Sequence, residues 1–168
     1  DTQTLGANPF FVCATRLIMV QNNSELPELL YAEYMSLPTI WIFGDQLNRD
    51  IGELASATPL THRILMIESA SKISSQRWHI QRAHFIVASM RKFANELRTE
   101  GFHVDYRYAG SIAQGIAEHA REFAPQEIVA TEPNSYAARL RAQELGVRTV
   151  PSNQFLCHQT EYQDFLGA

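Results

Sequence analysis

Five short apolar runs punctuate the chain, at residues 39–43, 64–67, 103–108, 128–131 and 147–150. The first, second and fourth are almost continuously apolar, a pattern that suits strands buried on both faces. The third, His103-Val104-Asp105-Tyr106-Arg107-Tyr108, alternates instead, which predicts a half-exposed strand near a sheet edge. Turn or polar residues close the runs: Gly44-Asp45, Glu68-Ser69, Glu132-Pro133 and Pro151.

Helical spacing fills the gaps. Over residues 75–99, Ile80, Ala83, Val87, Met90, Ala94 and Leu97 recur at steps of three and four and share one face, widened by Ile86 and Phe93; Gly101 then ends the helix. Ser111 caps a second helix with Ile112, Ile116 and Phe123 inward and Pro125 beyond it. Asn134 or Ser135 caps a third, with Ala137, Leu140 and Leu145 inward and Gly146 as its stop. A short helix fits residues 50–57. Strand–helix alternation implies right-handed crossovers and a parallel sheet. The edge character of the third strand favours the order 3-2-1-4-5, a Rossmann-like, doubly wound α/β domain with helices on both faces. Ligands of such sheets sit beyond the carboxyl ends of the strands where strand order reverses, here between strands one and four.

This organisation divides the chain into three parts: an N-terminal extension at 1–38, non-native or partly helical; the α/β domain at 39–152; and the start of an interdomain linker at 153–168. Met35-Ser36-Leu37-Pro38 reads as a native start, and Ser24 caps a short helix carrying Leu26, Leu29 and Leu30. The apolar stretch at 10–20 is interrupted by Thr15 and Arg16 and falls short of the roughly 20 residues a membrane span needs, so no membrane partner is expected.

Composition narrows the function. The 168 residues hold 14 Lys+Arg and 18 Asp+Glu, and the net charge of −4 argues against a surface that clamps nucleic acid all round. Cys13 and Cys157 are the two cysteines, too few for a four-cysteine zinc or iron–sulfur site, and two free thiols suit a reducing, cytoplasmic setting. Neither G-x-G-x-x-G nor G-x-x-x-x-G-K-[ST] occurs, which speaks against a dehydrogenase-type dinucleotide site and a P-loop. The six histidines show no metal-ligand spacing and read as surface or partly buried residues; no nucleophile–base pair stands out. Arg77, Arg82, Arg91 and Lys92 give the long helix a basic stripe, usually a solvated face and less often a contact for a partner domain or a phosphate.

Three strands end in acids, Asp45, Glu68 and Glu132, which the predicted order gathers around one crevice. They can accept hydrogen bonds from a polar ligand, or serve as helix caps and ordinary loop charges. Acids packed together repel unless a ligand, a cation or a basic side chain relieves them. Gly44 either admits a ligand to the backbone or simply makes a turn.

Read together, these segments carry more than a fold. Ile42-Phe43-Gly44-Asp45-Gln46-Leu47, then Met66-Ile67-Glu68-Ser69, His79, the stretch Ser89-Met90-Arg91-Lys92-Phe93-Ala94-Asn95-Glu96-Leu97-Arg98, Gly101, Val104, Tyr106, Thr131-Glu132-Pro133 and Phe155-Leu156-Cys157 resemble, in order, the deoxyribodipyrimidine photolyase-related proteins, the iron–sulfur bacterial cryptochrome and (6-4) photolyase branch. The likeness covers roughly residues 38–160.

The resemblance implies an N-terminal antenna domain, which family members pair with a C-terminal helical domain that holds FAD and a [4Fe–4S] cluster and performs light-driven DNA repair or signalling. On that view DNA is engaged only through the helical domain, and this chain, which looks like the antenna domain alone, is inactive by itself. The resemblance also implies a second chromophore, 6,7-dimethyl-8-ribityllumazine, bound by Gly44, Asp45, Gln46, Glu68, Ile86, Glu132 and Pro133, with no catalytic and no metal-ligating residue. One departure bears on it: Lys72 stands where family members often carry a further acid, and a lysine there can pair with Glu68 and fill the crevice. Two alternatives remain at this level, a non-catalytic docking module with an empty crevice and a stand-alone nucleotide-binding domain.

Overall fold

A computed structural model describes residues 36–75, 77–155 and 159–167. The expectations for Cys13, the apolar stretch at 10–20, the helix near Ser24, Leu156 and Cys157 lie outside the described residues. The strands are β1 (Thr39–Ile42), β2 (Arg63–Ser69), β3 (Val104–Ala109), β4 (Ile128–Thr131) and β5 (Arg148–Val150). The helices are α1 (Ala70–Ser74), α2 (Ile80–Thr99), α3 (Ile112–Phe123), α4 (Tyr136–Glu144) and α5 (Gln159–Leu166), with a 3₁₀ turn at Gly52–Ala55. All strand pairs are parallel and the order is β3-β2-β1-β4-β5, as the apolar pattern predicts.

In β1, β2 and β3 the two sheet faces divide by parity. Even positions Ile40, Ile42, Ile64 and Met66 join Met90, Phe93, Ala94 and Leu97 of α2 in one core. Odd positions Trp41, Leu65 and Ile67 pack with Ile116 of α3 and Ala142 of α4 in the other. Burying β1, β2 and β4 on both faces requires unbroken apolar strands, because either side chain orientation meets a helix.

Several helical expectations need correction. The segment after β2 is two helices, not one: α1 is capped by Ser69, whose hydroxyl accepts from Lys72 N–H, and α2 begins only at Ile80, capped by His79. Ile80 is 80% exposed rather than buried, and the buried stripe of α2 starts at Met90. Ser135 caps α4, yet Ala137 and Leu140 are exposed and Ala142 is the inward residue. The segment read as linker contains α5. The helix expected over 50–57 is a 3₁₀ turn, where Gly52 has φ +54° and a Cβ would collide with the Thr131 hydroxyl; only glycine suits both constraints.

The histidine reading fails at His119, which is fully buried. Its Nδ1 donates to Asp105 Oδ2 at 2.6 Å, and its Nε2 lies 3.0 Å from Thr39 Oγ1. Arg107 also donates to Asp105 at 2.6 Å, while fully buried Arg63 donates to His103 Nδ1 at 3.2 Å and stacks on Phe123. Thr39, Arg63, Asp105 and Arg107 are odd positions, so all belong to the α3 side of the sheet. The Thr–His–Asp chain has the connectivity of a catalytic triad, but Thr39 and His119 are sealed from solvent. Its role is to satisfy buried polar groups that would otherwise cost stability.

Candidate functional site

Strand register defines the crevice. Ile42 is level with Met66, so Gly44 leaves β1 at the height of Glu68; Trp41 is level with Ala130, which brings Pro133 to the same height. Gly44, Asp45, Glu68, Glu132 and Pro133 therefore converge at the carboxyl end of the sheet, around the point where strand order reverses.

Gly44 is an even position and faces α2. A Cβ placed there would stand 3.0 Å from Met90 Sδ and 3.2 Å from Ile86 Cγ2. Its missing side chain lets the long helix close on the end of β1, and half-buried Ile86 lies against it. Gln46 is buried and reaches across the switch point, its Nε2 donating to the Glu132 carbonyl at 2.9 Å. Pro133 is buried, and Glu132 N–H donates to the Val150 carbonyl at 2.8 Å. Gln46 and Glu132 thus tie β1, β4 and β5 together at this end.

The three acids have different surroundings. The Glu68 carboxylate is 8% exposed and receives both arms of Arg91: Nε to Oε1 at 2.7 Å and Nη2 to Oε2 at 2.9 Å. The Tyr106 hydroxyl also donates to Oε1, at 2.5 Å. Burial alone would raise the Glu68 carboxyl, but these bonds outweigh it and hold the group below the usual carboxylate range. Burial, together with the same contact, pushes the Tyr106 phenol up. Arg91 in turn lies over the Tyr108 ring, 5.5 Å from its centroid. Lys72 is exposed and is not the residue that neutralises Glu68; Arg91 is. In the sequence Arg91 belonged to a solvated stripe. The signal that finds its role is parity: Glu68, Tyr106 and Tyr108 all lie on the α2 face.

Glu132 accepts from Arg139 Nη1 at 3.0 Å, across the first turns of α4. Asp45 is exposed and, among the described residues, has no side-chain hydrogen bond or ion pair. The chain's own arginines therefore satisfy two of the predicted acids, and one remains open. At this end of the sheet stand an exposed carboxylate at Asp45, half-buried Ile86 and buried Met90 against Gly44, and an arginine-held carboxylate at Glu68. That set fits a ribityllumazine in part: apolar atoms can pack on its ring and Asp45 can accept from its polar groups, while Glu68 has little acceptor capacity left. No group of three or more potential metal ligands occurs among the described residues. Among them, too, no helix is long and apolar enough to cross a membrane.

A five-stranded parallel sheet of order 3-2-1-4-5 with helices defines a Rossmann-like class of α/β domain. Within that class, the family model described as deoxyribodipyrimidine photo-lyase-related protein matches residues 40–168. The chain belongs to this family, as the ordered motifs indicated. It is also 31% identical over 106 residues to a (6-4) photolyase of Agrobacterium fabrum (strain C58 / ATCC 33970), a match that covers 60% of this chain. The chain spans about a fifth of that relative, 21% of its length.

Proposed function

We propose that the α/β domain binds an antenna chromophore of the ribityllumazine class at the carboxyl end of its sheet. It would harvest blue or near-ultraviolet light for an FAD held in a C-terminal helical domain of a longer, cytoplasmic protein. Light-driven repair or signalling, the [4Fe–4S] cluster and contact with DNA belong, on this reading, to that helical domain. The observation that carries the proposal is the exposed Asp45 carboxylate at the switch point of a photolyase-related fold, next in sequence to Gly44, whose α-carbon packs on Ile86 and Met90. In a domain whose other crevice acids are held by arginines, a free acceptor there is the group a polar-edged ring can use.

The arginine clamp on Glu68 favours a second reading, a docking module whose crevice its own side chains fill. Titrating the purified chain with 6,7-dimethyl-8-ribityllumazine, followed by absorbance and fluorescence polarisation, separates the two. Saturable binding that Asp45→Ala weakens supports the antenna reading. No binding by a sample with native circular dichroism supports the docking module.

A further inference from the structure

The sheet ends in two edge strands of different character. β5 has 3 residues and runs straight into Pro151, which keeps that edge short. β3 has 6 residues, Val104–Ala109, with no proline or glycine to blunt it. Ile64 N–H donates to the His103 carbonyl, so the odd residues of β3 turn their backbone groups toward β2. The even ones, Val104, Tyr106 and Tyr108, aim theirs outward. The Val104 carbonyl accepts from Arg98 Nη2 at 3.2 Å and keeps a second lone pair. Among the described residues, nothing pairs with the outward backbone groups of Tyr106 and Tyr108, and the Tyr108 side chain is 68% exposed. A row of unpaired N–H and C=O groups is a template for another strand.

The residues of β3 select that strand. A two-fold axis sets two β3 edges antiparallel, with outward residues opposite outward residues. Centring the pair on Asp105 opposes Asp105 to Asp105, and centring it on Arg107 opposes Arg107 to Arg107; like charges directly opposite destabilise a sheet. Centres at Val104 or Tyr108 leave much of the strand unpaired. Centring on Tyr106 overlaps the whole strand. It sets Val104 against Tyr108, Tyr106 against its own copy and Asp105 against Arg107. Asp105 and Arg107 already bond each other at 2.6 Å within one chain, so the register does not draw on free charges. It places opposite signs across the junction and no like pair.

We propose that β3 is a dimerisation edge, and that two copies of the chain pair it antiparallel about Tyr106 into one continuous sheet. The register supplies about six backbone hydrogen bonds, two between the Tyr106 residues and two at each Val104–Tyr108 pair. It also lays exposed Tyr108 beside Val104 of the second copy. The flanking helices admit the approach. α2 and α3 each pack on β2 and β3, in the two separate cores. A helix over those strands sits about half a strand spacing inside the edge, so its two copies stand about 10 Å apart, the usual distance of packed helices. The contact is isologous and closes at two chains.

Sedimentation velocity of the 168-residue chain over a range of concentrations tests the association. Amide hydrogen exchange resolved by nuclear magnetic resonance, at the lowest and highest concentrations, tests the face. The expected result is a concentration-dependent dimer in which exchange of the Tyr106 and Tyr108 amides slows by about tenfold or more. Tyr108→Pro removes one outward N–H and leaves the ladder to β2 in place, and it should raise the dissociation constant about tenfold or more. Tyr108→Phe keeps that N–H and should leave the dimer intact. Circular dichroism checks that both variants fold, and if the proline variant does not, amide protection in the native chain decides. A chain that stays monomeric at every concentration overturns the proposal. So does a dimer whose Tyr106 and Tyr108 amides stay unprotected, or a folded Tyr108→Pro that dimerises as tightly as the native chain.

Discussion

Arg91, in the middle of the long helix, grips Glu68 at the end of β2 through two parallel hydrogen bonds of 2.7 and 2.9 Å. Tyr106 from the neighbouring strand completes the arrangement, taking one of the same carboxylate oxygens. A carboxylate accepting three bonds has little left to offer a ligand, so Glu68 positions the crevice wall rather than reaching into it.

That division of labour separates the acids by experiment. If the crevice binds a ribityllumazine, Asp45→Ala weakens binding by about 1–3 kcal/mol, the usual cost of removing a charged acceptor. Glu68→Gln, which keeps the shape and can still accept from Tyr106, changes affinity much less. Isothermal titration of both variants checks this, and equal losses would place Glu68 in direct contact with the ligand.

The contact of Gly44 with α2 makes a packing prediction. Gly44→Val drives two methyl groups into Met90 and Ile86 and should cost about 1–3 kcal/mol, the range for overpacking a well-filled core. Met90→Ala in the native background should cost roughly 2–5 kcal/mol, because Met90 is buried in the α2 core. Urea unfolding reads both, and a negligible effect of Met90→Ala would mean that the helix can settle onto the strand end without it.

The buried cluster on the other face predicts a different defect. His119→Phe fills the space but leaves the Thr39 hydroxyl without its ring partner and removes one donor from Asp105. The expected loss is roughly 1–3 kcal/mol, characteristic of a buried polar group left unsatisfied. Thr39→Val in the His119→Phe background should recover part of it, since removing both partners is cheaper than stranding one. A double variant no more stable than His119→Phe would remove the hydrogen bond from the account.

Strand order was legible because burial on two faces and burial on one leave different marks: unbroken apolarity in β1, β2 and β4, alternation in β3. The overhang of α2 was not. A helix of 20 residues is about 30 Å long at 1.5 Å per residue, whereas the 7 residues of β2 span only about 23 Å, so its first turns run past the sheet. Periodicity reports which face a residue shares and not where the sheet stops, which is why Ile80 looked like core. Lys72 looked like the partner of Glu68 because it is near in sequence. Arg91 holds it instead, because helix-on-sheet packing sets neighbours across a gap that one-dimensional spacing does not measure. His119 was hidden for a similar reason: its partners Thr39 and Asp105 lie 80 and 14 positions away.

Acid should unfold the domain in two stages. His103 accepts a hydrogen bond from Arg63 through Nδ1, which requires the neutral ring; partial burial and the Arg63 charge lower its pKa from the ordinary 6.5. The unfolded chain therefore takes up this proton first, and stability present above pH 6.5 declines as the pH falls toward the folded value. Asp105 and Glu68 act lower. Burial would raise the Asp105 carboxyl, but the bonds from His119 and Arg107 hold it below the ordinary 3.8, as Arg91 and Tyr106 hold Glu68 below 4.5. Their contributions are complete above those ordinary values and are lost as pH drops through the depressed ones. Thermal unfolding midpoints measured from pH 8 to pH 2 should show both declines. His103→Asn keeps an acceptor for Arg63 and should reduce the upper one, leaving the smaller share of His62, whose burial also lowers its pKa from 6.5, while the lower stays intact. Asp105→Asn should reduce the lower one, leaving the share of Glu68, and a profile unchanged in shape by either substitution would show that neither group contributes to its window.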